Sequence, residues 1–162
     1  MIFKSGNKQC VSSMATTIRD IMRRGIETIE DMASAQQAAK KMKDKNVSSL
    51  IVVDVNGKPQ GLVTERDLVR KVCINDVSTS IVTNKEVMSS PLIAINSSSA
   101  SSVAADMMLQ KNVRHLLVVG DDKSDINKPI GIVTPLDFTK YEEYANTDDD
   151  KDAIEKILEY YI

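Results

Sequence analysis

The chain has no tryptophan, two phenylalanines and four tyrosines among 162 residues. Its core cannot rest on large rings; Val, Ile, Leu, Ala and eight Met must fill it. There is one histidine, His115, and the two cysteines, Cys10 and Cys73, lie far apart with no CxxC spacing. That pattern offers no metal-ligand set and suggests reduced thiols inside a cell. No apolar run approaches the roughly 18 residues that span a bilayer. Met1 to Ser13 is interrupted by Lys4, Lys8 and Gln9 and lacks the apolar middle of a signal peptide. A soluble, cytoplasmic protein is expected. Charge of one sign is also missing: the net charge is −2 and the pI about 5.5. A duplex-binding surface is therefore disfavoured, although a local basic pocket is not excluded. No P-loop, no Ser-His-Asp order and no nucleophilic Cys-His motif is present, so no catalytic function is expected.

What the chain does have is an internal repeat. Shifted by 66 positions, Met22 falls on Met88, Ile29 on Ile95, Ala38-Ala39 on Ala104-Ala105 and Met42 on Met108. Lys45-Asn46-Val47 likewise falls on Lys111-Asn112-Val113. After a longer loop in the second copy, Gly120 to Lys128, the segment Gly61 to Asp67 matches Gly131 to Asp137. Two copies of one unit commonly pack about a pseudo-twofold axis, with clefts between them. The division expected is an arm over 1–17, repeat one over 18–75, linker and repeat two over 76–145, and a tail helix over 146–162.

Each copy reads as strand, helix, strand, strand, helix, an α/β (α+β) unit. Short segments at Arg19–Met22 and Lys85–Met88 precede extended pieces at Ile26–Ile29 and Pro91–Ile95. Ala35, Ala38, Ala39 and Met42 share one helical face, as do Val103, Ala104, Met107 and Met108. Ser99 is the expected N-cap of the second helix, with the poor capper Ala33 at the matching place in the first. Asn46 and Asn112 suit left-handed helix ends. Leu50–Val53 and Leu116–Val119 are buried strands. Asn56-Gly57 predicts a two-residue hairpin turn. Closing helices are expected over Arg66–Val72 and Leu136–Tyr144. In the tail, Asp148-Asp149-Asp150 favours a helix N-terminus, and Ile154, Ile157, Leu158, Tyr161 and Ile162 form one stripe. That stripe covers either its own module or a partner.

The chemistry concentrates at the ends of the third strands. Gly61-Leu62-Val63-Thr64-Glu65-Arg66-Asp67 and Gly131-Ile132-Val133-Thr134-Pro135-Leu136-Asp137 each deliver a hydroxyl, begin a helix, and place a carboxylate in its first turn. Such an acid can simply cap the helix. It can also accept two hydrogen bonds from a vicinal diol, beside a hydroxyl and amides that suit phosphate.

This repeat, with its Gly-hydrophobic-hydrophobic-Thr-x-x-Asp ending, resembles the cystathionine β-synthase (CBS) domain, and the tandem pair resembles a Bateman module. The likeness covers about residues 18–145. It implies two repeats packed through their sheets, with clefts that take AMP, ADP, ATP or S-adenosylmethionine. It also implies pairing of modules into dimers. Carried over, Asp67 and Asp137 hold ribose, and Thr64 and Thr134 lie near ribose or phosphate. Ser48 and Ser49 in copy one, and Arg114 and His115 in copy two, face phosphates. The segments Arg24–Thr28 and Ser90–Ile93, hence Thr28, Ser90 and Ile93, meet adenine. Pro135-Leu136 in place of Glu65-Arg66 makes the clefts unequal. With Arg114 at its entrance, the copy-two cleft, with Asp137, is the expected stronger phosphate site. Arg66 either reaches phosphate or pairs on its own helix, and His115 is the one side chain expected to titrate near neutrality.

The function expected is an energy-sensing regulatory module. No cofactor is obligatory; an adenine nucleotide, bare or with Mg, is the regulatory ligand. A homodimer and a separate protein effector are the expected partners. The alternatives are a scaffold with empty clefts and a nucleic-acid-binding module using Lys40, Lys41, Lys43 and Lys45. The acidic balance and the usual solvated fate of such a face disfavour the second.

Overall fold

The computed structural model describes residues 15–121, 127–140 and 147–161. Residues 1–14 of the expected 1–17 arm, most of the Gly120–Lys128 loop, Tyr141, Tyr144 and Ile162 lie outside the described residues. Repeat one comprises α1 (Ile18–Ile21), β1 (Thr28–Glu30), α2 (Ala35–Lys45), β2 (Ser49–Val53), β3 (Pro59–Thr64) and α3 (Glu65–Asp67). Repeat two comprises α4 (Asn84–Val87), β4 (Ala94–Asn96), α5 (Ser101–Lys111), β5 (Leu116–Val119), β6 (Pro129–Val133) and α6 (Pro135–Thr139), followed by α7 (Asp148–Tyr161). In each sheet the first strand runs parallel to the second and the third antiparallel to it. The parallel pair needs a crossover, which α2 and α5 supply. The central strands are the apolar runs Leu50–Val53 and Leu116–Val119, buried on both faces as their lack of alternation demands.

The helix ends depart from the sequence reading. The N-cap positions are Ser34 and Ala100, one residue later than Ala33 and Ser99. Ser34 accepts from the Gln37 amide at 3.2 Å and forms a capping box, so the good cap lies in the first copy and the poor one in the second. Asn46 and Asn112 adopt φ of 52° and 51°, as their residue type favours. The hairpin is longer than two residues: the Gly57 amide donates to Asp54 O and the Asp54 amide to Lys58 O, with φ +74° at Gly57. After α3 the chain tightens no further but widens into a π-helical stretch, Leu68–Cys73. Ala39 and Val103 are exposed, contrary to their assigned faces. Cys73 is a free, exposed thiol.

The repeats exchange their opening segments. Ile18 and Ile21 of α1 are buried in the core of repeat two, with Ile95, Met108, Leu116 and Phe138. Val87 of α4 is buried in the core of repeat one, with Met42, Leu50, Val63 and Val72. Just beyond each helix the backbone pairs across the pseudo-axis. Arg23 bonds both ways with Ile132 (2.9 and 3.0 Å), and Ser89 bonds both ways with Leu62 (2.7 and 3.0 Å). Ile51, Leu117 and Ile132 are buried outside both helix-side cores, in the clefts between the repeats.

The tail helix α7 packs on α5 and α6 of its own module, burying Ala153, Ile154 and Ile157. Asp150 does more than favour the dipole: Ser101 Oγ (2.8 Å), Thr147 Oγ1 (2.9 Å) and the Thr16 amide (3.3 Å) all donate to its buried carboxylate. These bonds hold its pKa below the usual carboxylate range against the opposing effect of burial. Thr16, placed in the arm by its sequence, is therefore tied to the fold. No helix among the described residues is long and apolar enough to cross a membrane.

The exchange leaves no room at Gly61 and Gly131. A Cβ on Gly61 would meet Met88 Sδ at 2.6 Å and Ser89 O at 2.9 Å; on Gly131 it would meet Met22 Sδ at 2.7 Å and Arg23 O at 2.8 Å. The thioether can move, but the paired carbonyl cannot. Gly61→Ala and Gly131→Ala should each lower unfolding free energy by about 1–3 kcal/mol, read by urea denaturation. Wild-type stability in either variant would contradict this packing.

Candidate functional site

Both strand-end carboxylates begin as caps. Thr64 closes β3 with extended backbone, and its amide and hydroxyl donate to Asp67 Oδ2 at 3.0 and 2.7 Å. The Asp67 amide returns a bond to Thr64 Oγ1 at 3.1 Å. In the second copy the Thr134 amide and hydroxyl donate to Asp137 Oδ2 at 2.9 and 2.8 Å. One oxygen of each acid is thus spent on its helix, and the other distinguishes the two sites.

Asp67 Oδ1 receives Ser89 Oγ at 2.9 Å and Lys71 Nζ at 2.9 Å. Burial alone would raise its pKa, but the bonds from Thr64, Lys71 and Ser89, with the Lys71 charge, prevail and lower it. Asp137 Oδ1 lies 3.1 Å from Arg23 Nε and 3.6 Å from Lys140 Nζ. The Arg23 N–H is directed instead at Oδ2 (3.3 Å), so Oδ1 is ion-paired yet carries no hydrogen bond. Arg23 also reaches Thr134 Oγ1 at 3.3 Å. The Asp137 side chain is 1% exposed and the Asp67 side chain 12%.

A cavity of about 640 Å³ opens on Asp67. Repeat one contributes Ser48, Leu62, Thr64, Glu65, Arg66, Asp67, Arg70 and Lys71; the second half contributes Ser89, Pro91, Leu92, Ile93, Arg114, His115, Leu117 and Ile132. Arg114 and His115 therefore share a cavity with Asp67, not with Asp137. The sequence reading places them with Asp137; across the pseudo-axis the β5 entrance looks into the cleft of repeat one, where Ser48 of the β2 entrance also lies. A second cavity of about 370 Å³ holds Ser49, Arg23, Arg24, Glu27 and Ile51, but neither Thr134 nor Asp137. Thr28 lies outside both, its carbonyl accepting from Lys41 Nζ at 2.7 Å. Ser90 also lies outside, bonded to Gln60 O at 3.1 Å. Sequence reasoning missed Arg70, Lys71 and Ser89. The first two were legible one helical turn beyond Arg66 and Asp67, on the same face.

The large cavity is basic in an acidic chain: Arg66, Arg70, Lys71 and Arg114 outnumber Glu65 and Asp67. Desolvation and then the charges of Arg114 and Arg70 pull the Arg66 pKa down. Arg114 Nε is buried without a hydrogen-bond partner. The His115 pKa is lowered to about 4, first by burial and then by the Arg23 charge, with Asp67 and Asp137 opposing and Arg114 assisting. It therefore does not titrate near neutrality, contrary to the expectation from sequence. Cations, hydroxyls and a partly exposed carboxylate beside apolar walls can receive a phosphorylated, diol-bearing, partly apolar molecule. No group of three metal-ligating side chains occurs among the described residues.

The family model of the CBS domain matches residues 18–73 and 85–144. An uncharacterized protein of Methanopyrus kandleri is 31% identical over 80% of this chain, which spans 64% of that protein. The CBS domain-containing protein YhcV of Bacillus subtilis is 30% identical over 73% of this chain and 79% of its own length. A solved CBS-domain protein from Burkholderia ambifaria superposes with a TM-score of 0.71 at 28% identity, covering 82% of this chain and 97% of that one.

A half-buried, desolvated and neutral histidine makes stability depend on pH. Between about pH 6.5 and 4 the unfolded chain binds a proton that the folded chain refuses, so stability falls as pH falls. The full loss is about 3 kcal/mol, of which about 2 accrues by pH 5. His115→Gln should lose that much less between pH 7 and 5 in urea titrations. Equal losses in variant and wild type would show that His115 is not the titrating group.

Proposed function

Because the chain belongs to the CBS domain family, we propose that it is a non-catalytic regulatory module whose larger cavity binds an adenosine-containing ligand. AMP, ADP, ATP and S-adenosylmethionine are the candidates, with or without Mg. The observation that carries this reading is the convergence of Asp67 and Thr64 from one repeat with Arg114 from the other on one cavity, beside Arg66, Arg70 and Lys71. A ribose diol can replace the Ser89 hydroxyl on Asp67 Oδ1, phosphates meet the cations, and Leu62, Ile93, Leu117 and Ile132 border the base. Walls from both repeats make occupancy favour one relative placement of them. That differential affinity is what a protein effector reads. Arg23 on Asp137 favours one main site per module. The scaffold alternative draws on the capping role of both acids.

The same reading places the protein in the cytoplasm as a homodimer. Val69 and Ile74 beside α3, and Leu136 on α6, are exposed apolar groups at equivalent ends of the two repeats and suit an isologous contact. Ile74→Asp should convert a dimer to a monomer in light scattering; a wild-type monomer at tens of micromolar would remove the dimer from the proposal.

A ligand at 100 times its dissociation constant should stabilise the fold by about 2.7 kcal/mol. In calorimetry, Asp67→Asn should weaken binding at least tenfold, about 1.4 kcal/mol, while Asp137→Asn should lower stability and leave affinity within about threefold. If no adenosine compound raises the melting temperature at millimolar concentration, the scaffold reading replaces this one.

A further inference from the structure

Arg114, the cation contributed by repeat two, is held by a residue from outside both repeats. Its guanidinium carbon lies 4.9 Å from the ring centroid of Tyr161, in the last turn of α7. Among the described residues no carboxylate pairs with Arg114, and its buried Nε has no hydrogen-bond partner. The ring itself is fixed: Tyr161 Oη lies 2.8 Å from Met108 O and 3.0 Å from Val113 O, at the carbonyl end of α5. The other end of α7 is anchored through Asp150.

A guanidinium presents two chemistries at right angles. Its face stacks on an aromatic ring, while its edge carries the N–H groups that grip oxyanions. The contact with the Tyr161 ring restricts the rotamers of Arg114 without a hydrogen bond to any of its N–H groups, and Arg114 still lines the cavity. An anion in the cavity then meets a guanidinium already ordered, and binding loses less side-chain entropy.

We propose that Tyr161 is a positioning residue for the anion-binding Arg114, and that α7 is thereby the element that responds to cavity occupancy. The proposal rests on the reading that this cavity receives a phosphorylated ligand. Coupling is reciprocal: the contact strengthens anion binding, and a bound anion strengthens the docking of α7. The last turn of α7 is the part of the surface whose stability changes with ligand.

Calorimetry with two separate probes, inorganic pyrophosphate and adenosine, distinguishes this from a merely structural role. Tyr161→Leu should weaken pyrophosphate roughly tenfold and leave adenosine affinity unchanged. Tyr161→Phe, which keeps the ring, should retain more pyrophosphate affinity than Tyr161→Leu. Pyrophosphate should also slow hydrogen exchange in the last turn of wild-type α7 and not in Tyr161→Leu. Unchanged pyrophosphate affinity in Tyr161→Leu, or equal loss for both probes, overturns the proposal. Wild-type binding of adenosine but not pyrophosphate overturns it while the adenosine reading stands. Tyr161-dependent pyrophosphate binding without adenosine binding sustains it and sinks the adenosine reading instead.

Discussion

The paired backbone at Leu62–Ser89 and Ile132–Arg23 governs both the fold and its clefts. Each repeat receives its last strand contact, and one helix of its core, from the other. Neither core is complete alone, since Val87 fills one and Ile18 and Ile21 fill the other. Glycine at 61 and 131 is what lets the exchanged segments approach to carbonyl contact. Free energy of association between the repeats is thus part of the folding free energy of each.

The same pairing builds the two acid sites and makes them unequal. Registering residue 89 against Leu62 carries its side chain to Asp67; registering residue 23 against Ile132 carries its side chain to Asp137. Ser89 brings a small neutral hydroxyl that leaves space beside the carboxylate. Arg23 brings a long cation that neutralises the acid and covers it. Residues 23 and 89 occupy equivalent places in the repeat, so one side-chain choice separates an open cleft from a filled one. The difference between Glu65-Arg66 and Pro135-Leu136 suggested the inequality; Arg114 and His115, assigned from sequence to the Asp137 cleft, lie instead with Asp67.

Much of the architecture was legible because it follows from local rules. The strands declare themselves as short apolar runs, Asn46 and Asn112 as left-handed helix ends, and Thr64 to Asp67 as a strand-to-helix turn. What was not legible crosses the pseudo-axis. Nothing in linear order pairs Arg114 with Asp67, and nothing local reports that His115 is desolvated beside Arg23. The repeat itself also misled where the environment breaks it. Ala39 and Ala105 are equivalent in sequence, yet only Ala105 is buried in the core that α7 completes.

That asymmetry gathers the cations on one side of the molecule. The open cavity gathers Arg66, Arg70, Lys71 and Arg114; desolvation first, then the charges of Arg114 and Arg70, lower the Arg66 pKa. Asp67 opposes that repulsion, but its carboxylate is also committed to Thr64, Ser89 and Lys71. A bound polyanion removes it, and does so only where the cations have been brought together, in the folded chain. Such relief would fall on groups from both repeats and, through the Tyr161 ring 4.9 Å from the Arg114 guanidinium carbon, on α7. Under the proposed function, repeat packing, cavity charge and tail docking become one coupled equilibrium rather than three separate properties.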